Sequence, residues 1–216
     1  MITKYYGVIP YSDGIEIQKE HHAKVLHGDK NYLLLMQHPN VYTIGRQGEY
    51  SDILVDSKKL ESLQIDTYHS DRGGKVTYHG PGQIIGYPVV NIKKLGLKPV
   101  DYVNTLINGI ENFLSTYEIY PDERTTTGVW IKGKKIASLG IKVSKGVTTH
   151  GLALNINTEL IYYDHIIACG MENSIPTSLS KILNHPITVK SIYTKLAENI
   201  GESLGLNLYW KITNST

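Results

Sequence analysis

TGVWIKGKKIASLGIKVSKGVTTHGLALNIN, residues 127–157, is the stretch on which the fold turns. Gly128, Gly133 and Lys134 match the spacing of a phosphate-binding loop except at its last position. There Lys135 stands where a serine or threonine must ligate magnesium. A true phosphate loop leads from a strand into a helix whose N-terminus receives the anion. Here KIASLGIKV, Lys135 to Val143, keeps the composition of a strand, so Gly133 is read as a hairpin turn. The whole segment then alternates and turns as three strands.

Working outward, NYLLLMQHP (Asn31 to Pro39) reads as a buried strand closed by proline. VTYHGPGQIIGYPVVNI reads as an extended strand pair interrupted by a turn at His79–Gly82. In PVDYVNTLINGIENFLSTY, Val103, Leu106, Ile107, Ile110 and Leu114 recur at helical spacing, with Pro99 at the start. SIYTKLAENIGESLG places Ile192, Leu196, Ile200 and Leu204 on one helical face, ended by Gly205. A further helix is expected over Ser12 to Leu26. Strands outnumber helices, and hairpins are interspersed with them. The fold class predicted is α+β: a single domain over residues 1–216, with a central mixed, largely antiparallel sheet flanked by helices.

Composition narrows the function. The 216 residues are 41% hydrophobic, enough for a core without disulfide or metal support. Net charge is +2 and the 22 Lys and Arg are scattered, so neither nucleic acid nor membrane is an expected partner. The start, MITKYYGVIP, lacks a signal-peptide core, and no apolar run approaches the ~20 residues of a membrane span. A single cysteine forbids an internal disulfide. A cytoplasmic location follows as the expectation.

Gly80, Gly82 and Gly86 depart from dinucleotide-loop spacing. No G-x-S-x-G elbow occurs, and the nine histidines form no tight ligand pair. Neither metal nor cofactor is therefore expected. His21 and His22, adjacent on a helix, are assigned to the surface. Cys169, in IIACGMENSIPTSLS, remains. A lone cysteine is by default a small core residue. Gly170 beside it permits close approach of a substrate backbone, and PTSLS offers Thr177 or Ser178 as a helix cap.

RGGKVTYHGPGQIIGYPVV, GVWIKGKKIASLGIKV, GVTTHGLALNIN and IIACG…TSL, in this order and spacing, resemble the octanoyltransferase, or lipoyl(octanoyl) transferase, family from about residue 30 to 205. That resemblance implies a fold like that of biotin and lipoate protein ligases. It implies transfer of an octanoyl group from acyl carrier protein to a lysine of a lipoyl domain, through an acyl-cysteine. The acceptors implied are the lipoyl domains of 2-oxo acid dehydrogenase complexes and the glycine cleavage H protein. On the matching motifs, Cys169 would be the acylated nucleophile and Lys135 its activating partner. The acyl-binding surface would comprise Arg72, Gly73, Gly74, Lys75, Val76, Thr77, Tyr78, His79, Ser138, Leu139, Gly140, Gly151, Leu152 and Ala153. The sequence departs from the family pattern at Thr127, where proline is usual, and between Met171 and Pro176.

The chemistry needs such residues. Acyl exchange between thioesters is nearly isoenergetic and amide formation is downhill, so no ATP is required. A thiol of pKa ~8.5 is only about 3% thiolate at neutral pH. Lowering it to ~7 takes roughly 2 kcal/mol, and one ammonium ~4 Å away supplies up to about 4 kcal/mol at an effective dielectric near 20. Gly73 and Gly74 are read as bringing backbone amides to the thioester carbonyl, and Tyr78, Ile84 and Ile85 as lining or backing an acyl tunnel. His79 and His150 are read either as orienting donors or as satisfied structural histidines. Arg72 either pairs with a carboxylate or faces the carrier's phosphopantetheine. The competing readings are an ATP-dependent lipoate or biotin protein ligase, and a non-catalytic module that docks a lipoyl domain or acyl carrier.

Overall fold

A computed structural model describes residues 1–124, 126–170 and 174–211, with only the backbone at Cys169. In chain order it contains β1 (Ile2–Val8), α1 (Tyr11–Leu26), β2 (Tyr32–Gln37), β3 (Val41–Ile44), α2 (Ser57–Ser62), β4 (Asp66–His69), β5 (Val76–His79) and β6 (Gln83–Val89). There follow α3 (Pro99–Ser115), β7 (Val129–Ile131), β8 (Lys134–Ser144), β9 (Val147–Asn155), α4 (Leu179–Leu183), α5 (Val189–Ser203) and β10 (Tyr209–Trp210).

Seven strands form one sheet in the order β10-β1-β2-β6-β9-β8-β7. Its first two junctions are parallel and the other four antiparallel, so the sheet is mixed and largely antiparallel. β2 reads as an unbroken apolar run because β1 and β6 flank it and both of its faces are covered. On one face α3 and α5 bury Leu106, Ile110, Phe113, Leu196 and Ile200. The two helices meet where Gly109 leaves no room for a side chain: a Cβ there would lie 2.7 Å from Ile200 Cδ1. On the other face α1 packs through Val25 and Ile17 against Leu34, Met36, Ile85 and Tyr87.

The near-match to a phosphate loop is a hairpin. Lys132 and Gly133 both have positive φ, 50° and 74°, as a two-residue turn between β7 and β8 requires. Their amides donate to the two carboxylate oxygens of Asp122, at 2.8 and 2.7 Å. An acidic side chain holds this turn.

Three features differ from the sequence expectation. VTYH and QIIGYPV are both strands, but they do not pair with each other. The chain passes between them at Gly80–Gly82 from a second sheet, of order β4-β3-β5, into the large one. Gly82, at φ 79°, makes that passage possible, because a Cβ would meet the Asn157 carbonyl oxygen at 2.4 Å. The small sheet buries its own core of Tyr42, Ile44, Val76, Tyr78, Tyr163 and Ile166. Finally, His21 is 2% exposed rather than on the surface. Its Nδ1–H donates to the Ile17 carbonyl at 2.7 Å, and its Nε2 accepts from Lys4 Nζ at 3.2 Å. No helix among the described residues is long and apolar enough to cross a membrane.

Candidate active site

A cavity of about 340 Å³ opens where the two sheets face each other. Its floor is the large sheet: Ile85 and Tyr87 of β6, Gly151, Leu152 and Ala153 of β9, and Ser138, Leu139 and Gly140 of β8. Register brings the last two groups together, with Ser138 opposite Ala153 and Gly140 opposite Gly151. Its roof comes from Arg72, Gly74 and Lys75 and from β5. Because side chains alternate along a strand, Thr77 and His79 face the cavity while Val76 and Tyr78 are buried in the small sheet's own core. Tyr78 donates to Asn40 Oδ1 at 2.8 Å and packs among Tyr42, Tyr162 and Tyr163. Val76 and Tyr78 thus support the roof from behind instead of lining it. Ile84 likewise belongs to the core beneath α3 and α5; only Ile85 of that pair reaches the cavity.

Arg72 pins the roof to its neighbours. Its Nε and Nη2 donate to Thr43 Oγ1 at 3.2 and 2.8 Å, Nη2 also to the Thr43 carbonyl at 2.6 Å, and Nη1 to the Gly73 carbonyl at 3.0 Å. Gly73 sits on β8: its amide donates to the Ile141 carbonyl at 3.0 Å, which commits that N–H away from any oxyanion. Gly140 must be glycine for this approach, since a Cβ would stand 2.8 Å from the Gly73 carbonyl oxygen.

Lys135 is 7% exposed and lines the cavity. Its ammonium lies 5.2 Å from the centroid of the Trp130 ring. Its stem passes over Gly128, whose missing Cβ would be 2.6 Å from Lys135 Cε. Its backbone is paired with the segment that follows the cysteine: Lys135 N–H donates to the Ile175 carbonyl at 2.8 Å, and Thr177 N–H to the Lys135 carbonyl at 2.9 Å. Cys169 sits in a single helical turn, Ala168–Gly170, packed on β5. The Cys169 side chain and residues 171–173 lie outside the described residues. Beside that turn runs Lys75, whose Cδ and Nζ come within 2.5 and 3.0 Å of where a Gly170 Cβ would be. The chain therefore leaves the cysteine's turn next to one cavity lysine and is next described alongside the other. Just beyond, Ser178 caps α4 by accepting from Lys181 N–H, as the sequence foresaw for Thr177 or Ser178.

A buried polar chain ties these parts together, and composition alone did not single it out. His79 Nδ1–H donates to Gln83 Oε1 at 2.7 Å. Gln83 Nε2 faces Asn155 Oδ1 at 2.9 Å, and Asn155 Nδ2 donates to the Thr177 carbonyl at 3.0 Å. The roof histidine is thereby linked to the Lys135 segment. Burial, reinforced by the nearby His38, pulls the His79 pKa down to about 3. Burial likewise takes His38 to about 4. His150, also in the cavity wall, is lowered mainly by burial, against the pull of its 2.6 Å contact with Asp71. Burial would raise the Asp71 carboxyl, but bonds from Lys142 and His150 hold it at about 2. His150 occupies φ 59°, a strained conformation for a non-glycine residue, and Gln18 Oε1 captures its amide at 2.6 Å.

His79 and His38, both buried and neutral, set an acid limit on stability. In the unfolded chain each would bind a proton below pH ~6.5, whereas in the folded chain each resists protonation until about pH 4 or 3. Stability is therefore fully present above pH ~6.5 and falls as pH drops towards the folded values, by at most ~1.4 kcal/mol per pH unit per histidine. Urea denaturation at pH 7 and pH 5 is expected to show a clearly lower midpoint at pH 5, with unchanged slope. Coincident curves would contradict the buried neutral assignment.

Comparison with known proteins fits this architecture. The lipoyl protein ligase A/B catalytic domain model matches residues 10–201. Lipoate-protein ligase A bound with ATP superposes with a TM-score of 0.77 at 15% identity, over 100% of this chain and 90% of its own. The Aquifex aeolicus biotin protein ligase in complex with biotin and ATP superposes at 0.57 and 14% identity, over 94% of this chain and 70% of its own. Fold and family match together define the class, the lipoyl protein ligase A/B catalytic domains. Within that class, the Caldicellulosiruptor saccharolyticus octanoyltransferase is 38% identical across 93% of this chain and 87% of its own. The Bacteroides fragilis enzyme of that name is 35% identical across 92% and 96%. The chain belongs to the octanoyltransferase family of acyltransferases.

Proposed function

We propose that the 216-residue chain acts as one cytoplasmic catalytic domain that moves an octanoyl group from acyl carrier protein to a lysine of a lipoyl domain by way of Cys169. The Cys169 thiolate attacks the donor thioester carbonyl, a new C–S bond forms as the donor's breaks, and the carrier's pantetheine thiolate leaves with the proton of the Lys135 ammonium, which leaves Lys135 uncharged. The uncharged amine of the acceptor lysine then attacks the acyl-cysteine. An amide forms, the Cys169 sulfur leaves as thiolate, and Lys135, uncharged at that stage, accepts the amine's proton. Its protonated form then faces the restored thiolate. The acceptors proposed are lipoyl domains of 2-oxo acid dehydrogenase complexes and the glycine cleavage H protein.

The observation that carries this reading is a cavity between the sheets, one of whose two lysines, the buried Lys135, is backbone-paired to the segment following Cys169. At about 340 Å³ the cavity lies near the lower end of the ~300–1,000 Å³ usual for small-ligand sites, a size suited to a medium acyl chain rather than a long one. Each methylene buried there contributes ~0.8 kcal/mol to binding. The test is incubation with octanoyl-acyl carrier protein and a lipoyl domain in the absence of ATP. Octanoylated lipoyl domain is the expected product. Product formed only from free octanoate plus ATP would overturn the reading in favour of a ligase.

A further inference from the structure

We infer that Tyr11, the first residue of α1, is the end wall of the acyl cavity and fixes the length of chain the enzyme accepts. The inference rests on the acyl-transfer reading above and adds the residue that bounds the substrate.

The turn carrying Cys169 packs on β5 of the small sheet. Tyr11 lies against the same sheet, its ring 5.4 Å from that of Tyr68 in β4 and its hydroxyl donating to Ser70 Oγ at 2.9 Å. A fully extended chain advances ~1.2 Å per bond, so the seven carbon–carbon bonds of an octanoyl group span about 8 Å and the fifteen of a palmitoyl group about 18 Å. The longer chain needs about 10 Å more room, and a buried ring in its path bounds it.

The space behind the ring is filled. Tyr11 is 5% exposed, lines the cavity and stands edge-on to His38 at 5.3 Å. His38 is fully buried, with Nδ1–H on the Ile9 carbonyl at 2.9 Å and Nε2 accepting from the Tyr87 hydroxyl at 3.0 Å. One turn along α1, Gly14 lies so close to this layer that a Cβ would meet His38 Cε1 at 2.8 Å and Met36 Sδ at 3.0 Å. A chain reaching Tyr11 meets close-packed side chains, and overlong chains must displace them. His79, its ring near-parallel to Tyr11 at 6.3 Å, completes the corner.

Chain-length competition tests the wall. Equimolar octanoyl- and dodecanoyl-acyl carrier protein are offered to wild type, Tyr11→Leu and Tyr11→Phe, and the acyl-enzymes formed in one turnover are counted by mass. Wild type and Tyr11→Phe, which keep the ring, are expected to share one strong preference for octanoyl. Tyr11→Leu, with a shorter side chain, is expected to raise the dodecanoyl-to-octanoyl ratio at least tenfold. An unchanged ratio in Tyr11→Leu, beside normal wild-type acylation, would overturn the wall alone. A ratio shifted equally in Tyr11→Phe would also overturn it, by assigning the effect to the Ser70 bond. No acyl-enzyme in wild type from either donor would overturn the transfer reading as well. Should Tyr11→Leu fail to give a cooperative unfolding transition, Tyr11→Met carries the same expectation with less lost volume.

Discussion

Cys169→Ser is expected to lower octanoyl transfer to the lipoyl domain on the order of 10³-fold or more, with folding unchanged. A serine hydroxyl has a pKa far above that of a thiol. A neighbouring ammonium that raises the thiolate fraction from a few per cent to about half leaves an alcohol essentially un-ionised. The cavity holds two lysines, Lys135 and Lys75, and Lys75 runs beside the turn of Cys169. Neutral histidines cannot add charge, and burial keeps His79 and His38 neutral at pH 7. Single-turnover transfer, with circular dichroism and a urea midpoint as controls, measures the loss. A serine variant within tenfold of wild type would mean the acyl group never resides on residue 169.

Lys135→Met is expected to raise the apparent pKa of the Cys169 thiol by a unit or more, and so to cut the thiolate present at pH 7 about tenfold. Methionine is the informative choice because the lysine stem packs over Gly128 and near Trp130, and an unbranched apolar side chain preserves much of that packing. At 7% exposure the ammonium is poorly screened by water, so its removal is felt more than that of a surface lysine. The measurement is the pH profile of iodoacetamide alkylation, beside the rates of both half-reactions. Lys135→Arg keeps the charge but cannot accept a proton in this range. It is expected to spare alkylation and acylation more than transfer to the acceptor lysine. Superimposable alkylation profiles for wild type and Lys135→Met would remove Lys135 from its assigned role.

Much of the fold was legible in the sequence because its period signals were long. The helical spacing from Val103 to Leu114 and the alternation through residues 129–155 each persist over enough residues to outvote local exceptions. The small sheet was not legible. β3 and β4 have four residues each, too few for a period to register, and β5 reads like the partner of β6 until Gly82 carries the chain to another sheet. The site shows the same division. Motif likeness drew attention to residues 72–79 as a block, but a strand presents alternate side chains, so Thr77 and His79 face the cavity and Val76 and Tyr78 do not. Gln83 and Asn155 carry no motif that announces a link between His79 and Thr177; register across β6 and β9 creates it. Tyr11 was beyond sequence reasoning for a similar reason. It stands one residue before the helix expected from Ser12, whereas α1 begins at Tyr11 and buries it on one face with Gly14, Gln18, His21 and Val25, at the cavity.

The central claim is an acyl group carried on one named sulfur. Intact mass of the protein after brief incubation with octanoyl-acyl carrier protein, without acceptor, tests it most directly, followed by peptide mapping. The account predicts one added octanoyl group, on the peptide holding Cys169, removed when a lipoyl domain is supplied. No adduct from a donor shown to be competent, or an adduct mapped to any other residue, would contradict it.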